Sequence, residues 1–372
     1  MKFVIFTHVP HSQADNLYYA YAPYVREMNI WGKQVDELLV VAPFVSGKAT
    51  AIDSPYEHQN LHFIPVPSFD LLSVQAVLLT LFKLPGLLWT IFKAMQNADH
   101  IHLRCPGNIG LLGCFVQILF PNTPKTAKYA GNWDPKSQQP WTYRLQKWIL
   151  SSTFLTKNLQ VLVYGEWEGS SPNITPFFTA TYSEAEQVPF GSKDLKMPIV
   201  FVFVGALVTG KNPLYAIQFV ETLLKKGYDV QLHLYGEGVE RVALERYILA
   251  RQLEKSIVLM GNQSRAVVQQ AYQDSHFVLL PSASEGWPKA IAEGMFWGCV
   301  PIATSVSCVP FMLDYGRRGI LLEMNLDKDT AQMEMILNDQ SDFDSKQSAA
   351  AAWSRKYTSD LFESEIKKLL HS

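Results

Sequence analysis

The sequence predicts an α/β protein of two doubly wound domains whose parallel sheets face a cleft. Three observations carry that prediction. Strand-length apolar runs alternate with helix-length amphipathic runs along most of the chain. A polar, proline-bearing connector, Ser183–Pro198, divides the strand candidates into two sets. The 372 residues suffice for two or three domains with real cores. Alternation of this kind favours parallel sheets covered on both faces. The strand candidates are too many for one such sheet, so two domains are the economical solution. Ligands then bind beyond the carboxyl ends of the strands.

In the first half the predicted strands are Phe3–Thr7, Glu37–Ala42, His62–Val66, His100–Arg104, Thr126–Tyr129 and Gln160–Val163. Helices are expected at Leu17–Met28, Leu71–Met95, Ile109–Leu119 and Trp141–Leu150. The second half restarts with strands Ile199–Val204, Val230–Tyr235, Ser256–Met260, Phe277–Leu280, Val300–Ala303 and Gly319–Leu322. Its helices are expected at Pro213–Lys226, Val239–Gln252, Arg265–Gln273 and Pro288–Trp297. The domains predicted from this are 1–190, 191–350 and a helical tail, 351–372, able to pack back on the first domain.

Composition narrows the function classes. The net charge of −2 gives no basic field for nucleic acid. An aromatic share of 12% leans high, which fits large buried surfaces or an amphipathic contact face. Cys105, Cys114, Cys299 and Cys308 form no C-x-x-C pair, which argues against a zinc site or a disulfide framework and for a reducing compartment. The opening Met1–Phe6 reads as a strand and is too short for a signal peptide, so a cytoplasmic location is expected. Leu71–Met95 tests that expectation, being long and apolar enough to span a bilayer. Pro85-Gly86 in its middle favours two buried or half-buried helices with a break. Contact with the inner membrane surface ranks second and a true span last.

The most informative stretch is Ser282–Pro301. An apolar strand enters a polar turn closed by Glu285-Gly286, and Trp287-Pro288-Lys289 opens a helix. Glu293 lies inside that helix and Gly298 ends it. Two carboxylates thus flank the N–H groups and positive dipole end of a helix, a ready anion site. A sugar, a diphosphate and a ribose have the matching layout. Three other strands of the second half end in comparable loops: Gly205-Ala206 through Gly210-Lys211, then Gly236-Glu237-Gly238, then Gly261-Asn262. Each is weak alone, since a plain turn explains it as well. One shared ligand explains all four together more simply.

These pieces resemble the GT-B glycosyltransferases, specifically the large retaining family numbered four, over about Ile199–Leu322. The resemblance implies two Rossmann-like domains and a nucleotide diphosphate sugar as co-substrate, with no metal or other cofactor. It implies that Glu285 approaches the donor-sugar hydroxyls, Glu293 the ribose, and Lys211 the diphosphate. The family's usual arginine is replaced by Ala206, and Lys289 is the candidate substitute. Donor binding is accordingly expected at Gly205, Lys211, Gly236, Gly238, Gly261, Asn262, Glu285, Gly286, Trp287, Pro288, Lys289 and Glu293. Catalysis is expected from Glu285 and Lys211, with Asp134 as a candidate contact to the acceptor hydroxyl.

The first half matches less closely. His8, His11, Arg104, Asn132 and Asp134 follow predicted strands and are acceptor-side candidates. For each, an ordinary loop residue or a structural ion pair competes with the functional reading. Asp342-Phe343-Asp344 spells a metal-binding pattern but lies in the helical tail, where capping explains it better. The resulting expectation is a retaining, hexosyltransferase-type glycosyltransferase. It would act on a glycan or lipid-linked glycan in cell-surface polysaccharide biosynthesis. A nucleotide-sugar epimerase or hydrolase and a non-catalytic nucleotide-sugar-binding protein are the alternatives.

Overall fold

The computed structural model describes residues 1–47, 49–50, 52–67, 74–196 and 198–371, without the side chains of 74–82. It divides into two compact units, Met1–Phe178 with Glu363–Ser372, and Thr179–Phe362. Each is an α/β unit built on a parallel sheet of Rossmann type.

Unit 1 begins with β1 (Lys2–Phe6), β2 (Ser12–Ala14), β3 (Leu17–Tyr21), α1 (Ala22–Gly32), β4 (Glu37–Pro43), β5 (Asp53–Pro55) and β6 (Leu61–Val66). It continues with α2 (Val74–Gln96), β7 (His100–Cys105), α3 (Asn108–Val116), β8 (Lys125–Tyr129), α4 (Trp141–Ser151), β9 (Leu159–Tyr164) and β10 (Ile174–Phe177). The main sheet runs β10-β9-β8-β7-β1-β4-β6, all parallel. Strands β1 and β4 sit inside it, which is why Phe3–Phe6 and Leu38–Ala42 are apolar runs rather than alternating ones. Helices α2, α3 and α4 share one face of this sheet. Leu87, Ile91, Ile109, Leu112, Ile149 and Leu150 join Val4, Leu103, Ala127 and Val161 in one core.

Two helix expectations change here. The helix predicted at Leu17–Met28 is instead β3 followed by α1. Leu17-Tyr18-Tyr19-Ala20-Tyr21 pairs antiparallel with β2 on one side and β5 on the other, as its aromatic content favours. Pro23 then opens the helix at its first turn. The break expected at Pro85-Gly86 is absent, because α2 runs through both residues. A proline inside a helix costs about 3 kcal/mol. Burial of Leu87, Ile91, Ala94 and Met95 against the sheet offsets that cost. Residues 71–73 of the predicted segment lie outside the described residues, and no described helix is long and apolar enough to cross a membrane.

Unit 2 contains β11 (Ile199–Val204), α5 (Pro213–Lys225), β12 (Val230–Tyr235), α6 (Arg241–Ala250), β13 (Ile257–Gly261), α7 (Arg265–Asp274) and β14 (Phe277–Leu280). It then forms α8 (Lys289–Phe296), β15 (Val300–Thr304), α9 (Val309–Met312), β16 (Ile320–Leu322), α10 (Leu326–Leu337) and α11 (Gln340–Ser354). Helix α12 (Ser359–His371) starts in unit 2 and ends among the residues of unit 1. The sheet order is β13-β12-β11-β14-β15-β16, again all parallel. Asp342 and Asp344 belong to the first turns of α11. Asp339 caps that helix by accepting from the Asp342 N–H at 3.0 Å, and Asp344 accepts from Ser192 and Gln340.

Four buried histidines make stability sensitive to acid. Burial holds His11, His100 and His276 down to about 4, and His102 well below its ordinary range. All four are neutral in both states above the unfolded value near 6.5. As pH falls from there toward 4 the unfolded chain takes up protons first, so stability is lost across that window. Calorimetry at pH 7 and pH 5 is expected to show a lower Tm at pH 5. An unchanged Tm would contradict the assignment.

Candidate active site

Each of the two parallel sheets has one point where the direction of strand addition reverses. In unit 2 it lies between β11 and β14, and ligand crevices in open α/β sheets form at such points. The loops leaving these two strands are 205–212 and 281–288. Ala283 N–H donates to the Gly210 carbonyl at 2.9 Å, and Asn212 Nδ2 to the Pro281 carbonyl at 2.8 Å. Asn212 takes a left-handed conformation, φ 48°, which turns the chain into α5 and presents Lys211 on the crevice side. Lys211 Nζ meets Glu285 Oε1 in an ion pair; Glu285 is buried and Lys211 is 29% exposed.

The neighbouring strand ends join the same platform through backbone alone. Gly205 N–H donates to the Tyr235 carbonyl, Leu207 N–H to Glu237, and Gly236 N–H to Gly261. The close approach requires glycine at two places. A Cβ on Gly236 would lie 2.0 Å from the Gly205 oxygen, and one on Gly238 2.2 Å from the Leu207 oxygen. Gly205, Gly236, Gly238 and Gly261 are thus brought together, with Asn262 and Ala206 exposed beside them.

Helix α8 follows from β14 with Pro288 as its N-cap residue and Gly298 at φ 85° just past its end. Gly294 lets it lie close on β14, where a Cβ would meet Val278 at 2.6 Å. Glu293 is half-buried on this helix. Its Oε1 accepts from Thr181 Oγ1 at 2.7 Å and its Oε2 from Tyr272 at 3.2 Å. Burial, then the Glu293 carboxylate, raises the phenols of Tyr272 and Tyr182, so both stay protonated and Tyr272 acts as donor. Glu293 lines a recess with Thr181, Tyr182, Trp287, Lys289 and Tyr357. Thr181 and Tyr272 escaped the sequence reading. Thr181 stands 112 residues from Glu293, and no local pattern marks either residue. Trp287 has a packing role as well. It is buried inside unit 2, stacked with Trp353 at 6.0 Å and edge-on to Tyr357, so its indole packs the base of the loop. The Gly286 carbonyl accepts from Ser307 Oγ at 3.3 Å, fixing the turn before α8.

In unit 1 the reversal lies between β1 and β7. His8, after β1, is exposed and lies over Gly107, after β7; a Cβ on Gly107 would sit 2.3 Å from its Nδ1. Partial burial first, and Arg104 next, lower the His8 imidazole, so it is neutral at pH 7. The structure gives the other acceptor-side candidates partners within unit 1. His11 is fully buried, with Nδ1 at 2.8 Å from the Val9 carbonyl and Nε2 at 2.9 Å from the Tyr56 hydroxyl. Arg104 is buried against Glu27 at 2.5 Å, with Lys128 on the same carboxylate oxygen at 3.3 Å. Burial pulls the Arg104 guanidinium down and Glu27 pushes it up, with a net rise. Asn132 and Asp134 shape their own loop: Asn132 Oδ1 accepts from the Asp134 N–H, and Asp134 Oδ1 from the Lys136 N–H. Asp134 thus shapes its turn through Oδ1. Among the described residues no group of three or more His, Cys, Asp or Glu could hold a metal ion.

Residues 185–352 match the family described as glycosyl transferases group 1. Alpha-D-kanosaminyltransferase of Streptomyces kanamyceticus is 30% identical over 125 residues, 34% of this chain and 32% of that protein. The matched region thus spans about a third of that curated relative's length. Anabaena HepE, solved in complex with UDP, superposes with a TM-score of 0.72 over the whole of both chains at 15% identity. Staphylococcus aureus TarM, solved with fondaparinux, alpha-GlcNAc-glycerol and UDP, gives 0.58 at 18% identity, covering 77% of this chain and 58% of that one. At these identities the two structures establish the shared fold.

Proposed function

From the premise that residues 185–352 are a glycosyl transferases group 1 domain, we propose that this chain transfers a sugar from a nucleotide diphosphate sugar to an acceptor hydroxyl, with retention of configuration. The observation that carries the reading is the Lys211–Glu285 pair at the β11/β14 reversal, with Glu293 one helix turn into α8. The donor diphosphate lies over the N-terminus of α8, where the positive end of the helix dipole favours an anion. Lys211 and Lys289 add positive charge where the departing phosphate gains negative charge, so no resident metal is called on. Glu285 is released from Lys211 to accept hydrogen bonds from sugar hydroxyls. Glu293 holds the ribose, its carboxylate oriented by Thr181 and Tyr272. Such preorganised groups are worth about 3–4 kcal/mol each.

Unit 1 supplies the acceptor, with His8 as the candidate contact at its strand reversal. The acceptor class proposed is a glycan or lipid-linked glycan, in cytoplasmic steps of cell-surface polysaccharide assembly. UDP-sugars are the first donors to test, because the HepE and TarM structures were solved with UDP.

Thermal-shift measurements against UDP-, GDP- and ADP-sugars test the donor site. A true donor stabilises by mass action, by about 2.7 kcal/mol at one hundred times its Kd. Glu293→Ala is expected to remove the shift, and Lys289→Ala to shrink it by about tenfold in affinity. A full shift in Glu293→Ala would refute the ribose assignment, and one in Lys289→Ala would end its candidacy as replacement for the arginine missing at Ala206. Donor cleavage without any acceptor would favour the hydrolase or epimerase alternative.

A further inference from the structure

We propose that the outer face of α2, α3 and α4 in unit 1 is a docking surface for an anionic lipid bilayer. The inference deepens the lipid-linked acceptor reading above and rests on it only for its biological purpose. The three helices form one layer, their inner sides in a single core with the sheet. Among the described residues their outer sides leave Trp89, Phe115, Trp141 and Trp148 open, and Leu119 and Phe154 stand open in the turns that follow α3 and α4. Trp89 is 60% exposed, Phe115 43%, Leu119 66%, Trp141 58%, Trp148 64% and Phe154 79%. On α4, Trp141, Arg144 and Trp148 fall at helical spacing along one exposed stripe. Four aromatic residues this open on adjacent helices, with Leu119 and Phe154 in the turns that follow, mark an interaction surface rather than scattered surface apolarity.

Charge selects the occupant. The whole chain carries −2, yet residues 74–160 hold nine Lys and Arg against two Asp; Arg104, Lys125 and Lys128 are buried and Lys147 is half-buried, which leaves five exposed. Helices α2, α3 and α4 contain no acidic residue. The two Asp are engaged at loops: Asp99 accepts from the Lys2 N–H and Asp134 from the Lys136 N–H. Lys83 and Lys93 on α2, Lys136 before α4, Arg144 on α4 and Lys157 after it are exposed. Lys93 lies over the Trp89 ring at 4.9 Å, its stem along the apolar face and its charge at the edge. Tryptophans among lysines and arginines suit the headgroup layer of an anionic membrane, where indole rings sit at the interface and basic side chains meet phosphate. A second copy of the same face would set positive charge against positive charge, so the bilayer is the better match.

The test is sedimentation of the full chain with vesicles of phosphatidylcholine alone and of phosphatidylcholine with phosphatidylglycerol. Preferential binding to the anionic vesicles, weakened by added salt, is expected. Trp148→Ser with Phe154→Ser, both at exposed positions, is expected to reduce binding about tenfold or more while the circular dichroism melt stays unchanged. Equal or absent binding to both vesicle types overturns the proposal, as does undiminished binding by the double variant. A dimer in light scattering that the same substitutions dissolve reassigns the face to self-association and also overturns it. Should that variant lose its fold, Trp89→Ser is read in its place against the same outcomes. Donor hydrolysis and transfer to a soluble acceptor, measured without vesicles, report on the transferase reading separately.

Discussion

Lys211→Ala is expected to lower sugar transfer about 100- to 1000-fold, with a much smaller effect on folding. Lys211 is the cation held at the β11/β14 reversal, paired with Glu285 across the loops that Asn212 and Ala283 lock together. Removing it takes away charge stabilisation that grows as the diphosphate departs, so the loss falls on kcat more than on KM. The stability cost is about 1–3 kcal/mol, because Lys211 is 29% exposed while Glu285 is buried and loses its partner. Lys211→Arg keeps the charge and is expected to retain more activity than Lys211→Ala. Steady-state kinetics beside a denaturation curve separates the two effects. A loss under about tenfold would move the phosphate role to Lys289 and the α8 N-terminus.

The second large effect is structural and falls in the other unit. Glu27→Ala is expected to destabilise unit 1 by about 3–5 kcal/mol. Glu27 is buried on α1 and faces Arg104 at 2.5 Å and Lys128 at 3.3 Å, themselves both buried. Taking the carboxylate away leaves two cations with the desolvation cost and without the attraction that offset it. Lys128 keeps its bond to the Phe178 carbonyl at 2.7 Å and its place over the Phe177 and Tyr164 rings at 5.0 and 5.3 Å, and loses the carboxylate. Replacing all three by apolar residues of similar size, Glu27→Leu with Arg104→Met and Lys128→Met, is expected to recover most of the loss. Urea titration of the single and triple variants decides it. If Glu27→Ala unfolds at the wild-type midpoint, the buried triad is not what holds α1 to β7 and β8.

The triad also shows where local reading fails. Arg104 at a strand end reads equally well as a phosphate contact and as an ion pair. The choice depends on Glu27, 77 residues away, which nothing near Arg104 announces. His11 is the same case: its loop position suggests exposure, and Tyr56 and Val9 enclose it. Asp134 was ambiguous for a different reason, since one residue type serves both turn formation and chemistry; the structure shows the turn bond to Lys136 N–H. Leu17–Tyr21 carried enough apolar spacing for a helix, and only its partners β2 and β5 make it a strand.

By itself the sequence determined the parallel strands, because a strand buried on both faces must be an apolar run, and Ile199–Val204, Val230–Tyr235 and Phe277–Leu280 fall where they were predicted. It also determined the glycine-lined ends of those strands, because backbones that touch leave no room for a Cβ. The tertiary structure decided which charged and polar side chains meet. Strand order placed Lys211 beside Glu285, and the packing of α7 and the 179–182 segment on α8 gave Glu293 its Tyr272 and Thr181 partners. The physical reason is range. Helix and strand patterns arise between residues a few positions apart, whereas burial and ion pairing are set by neighbours that only the folded sheet brings together.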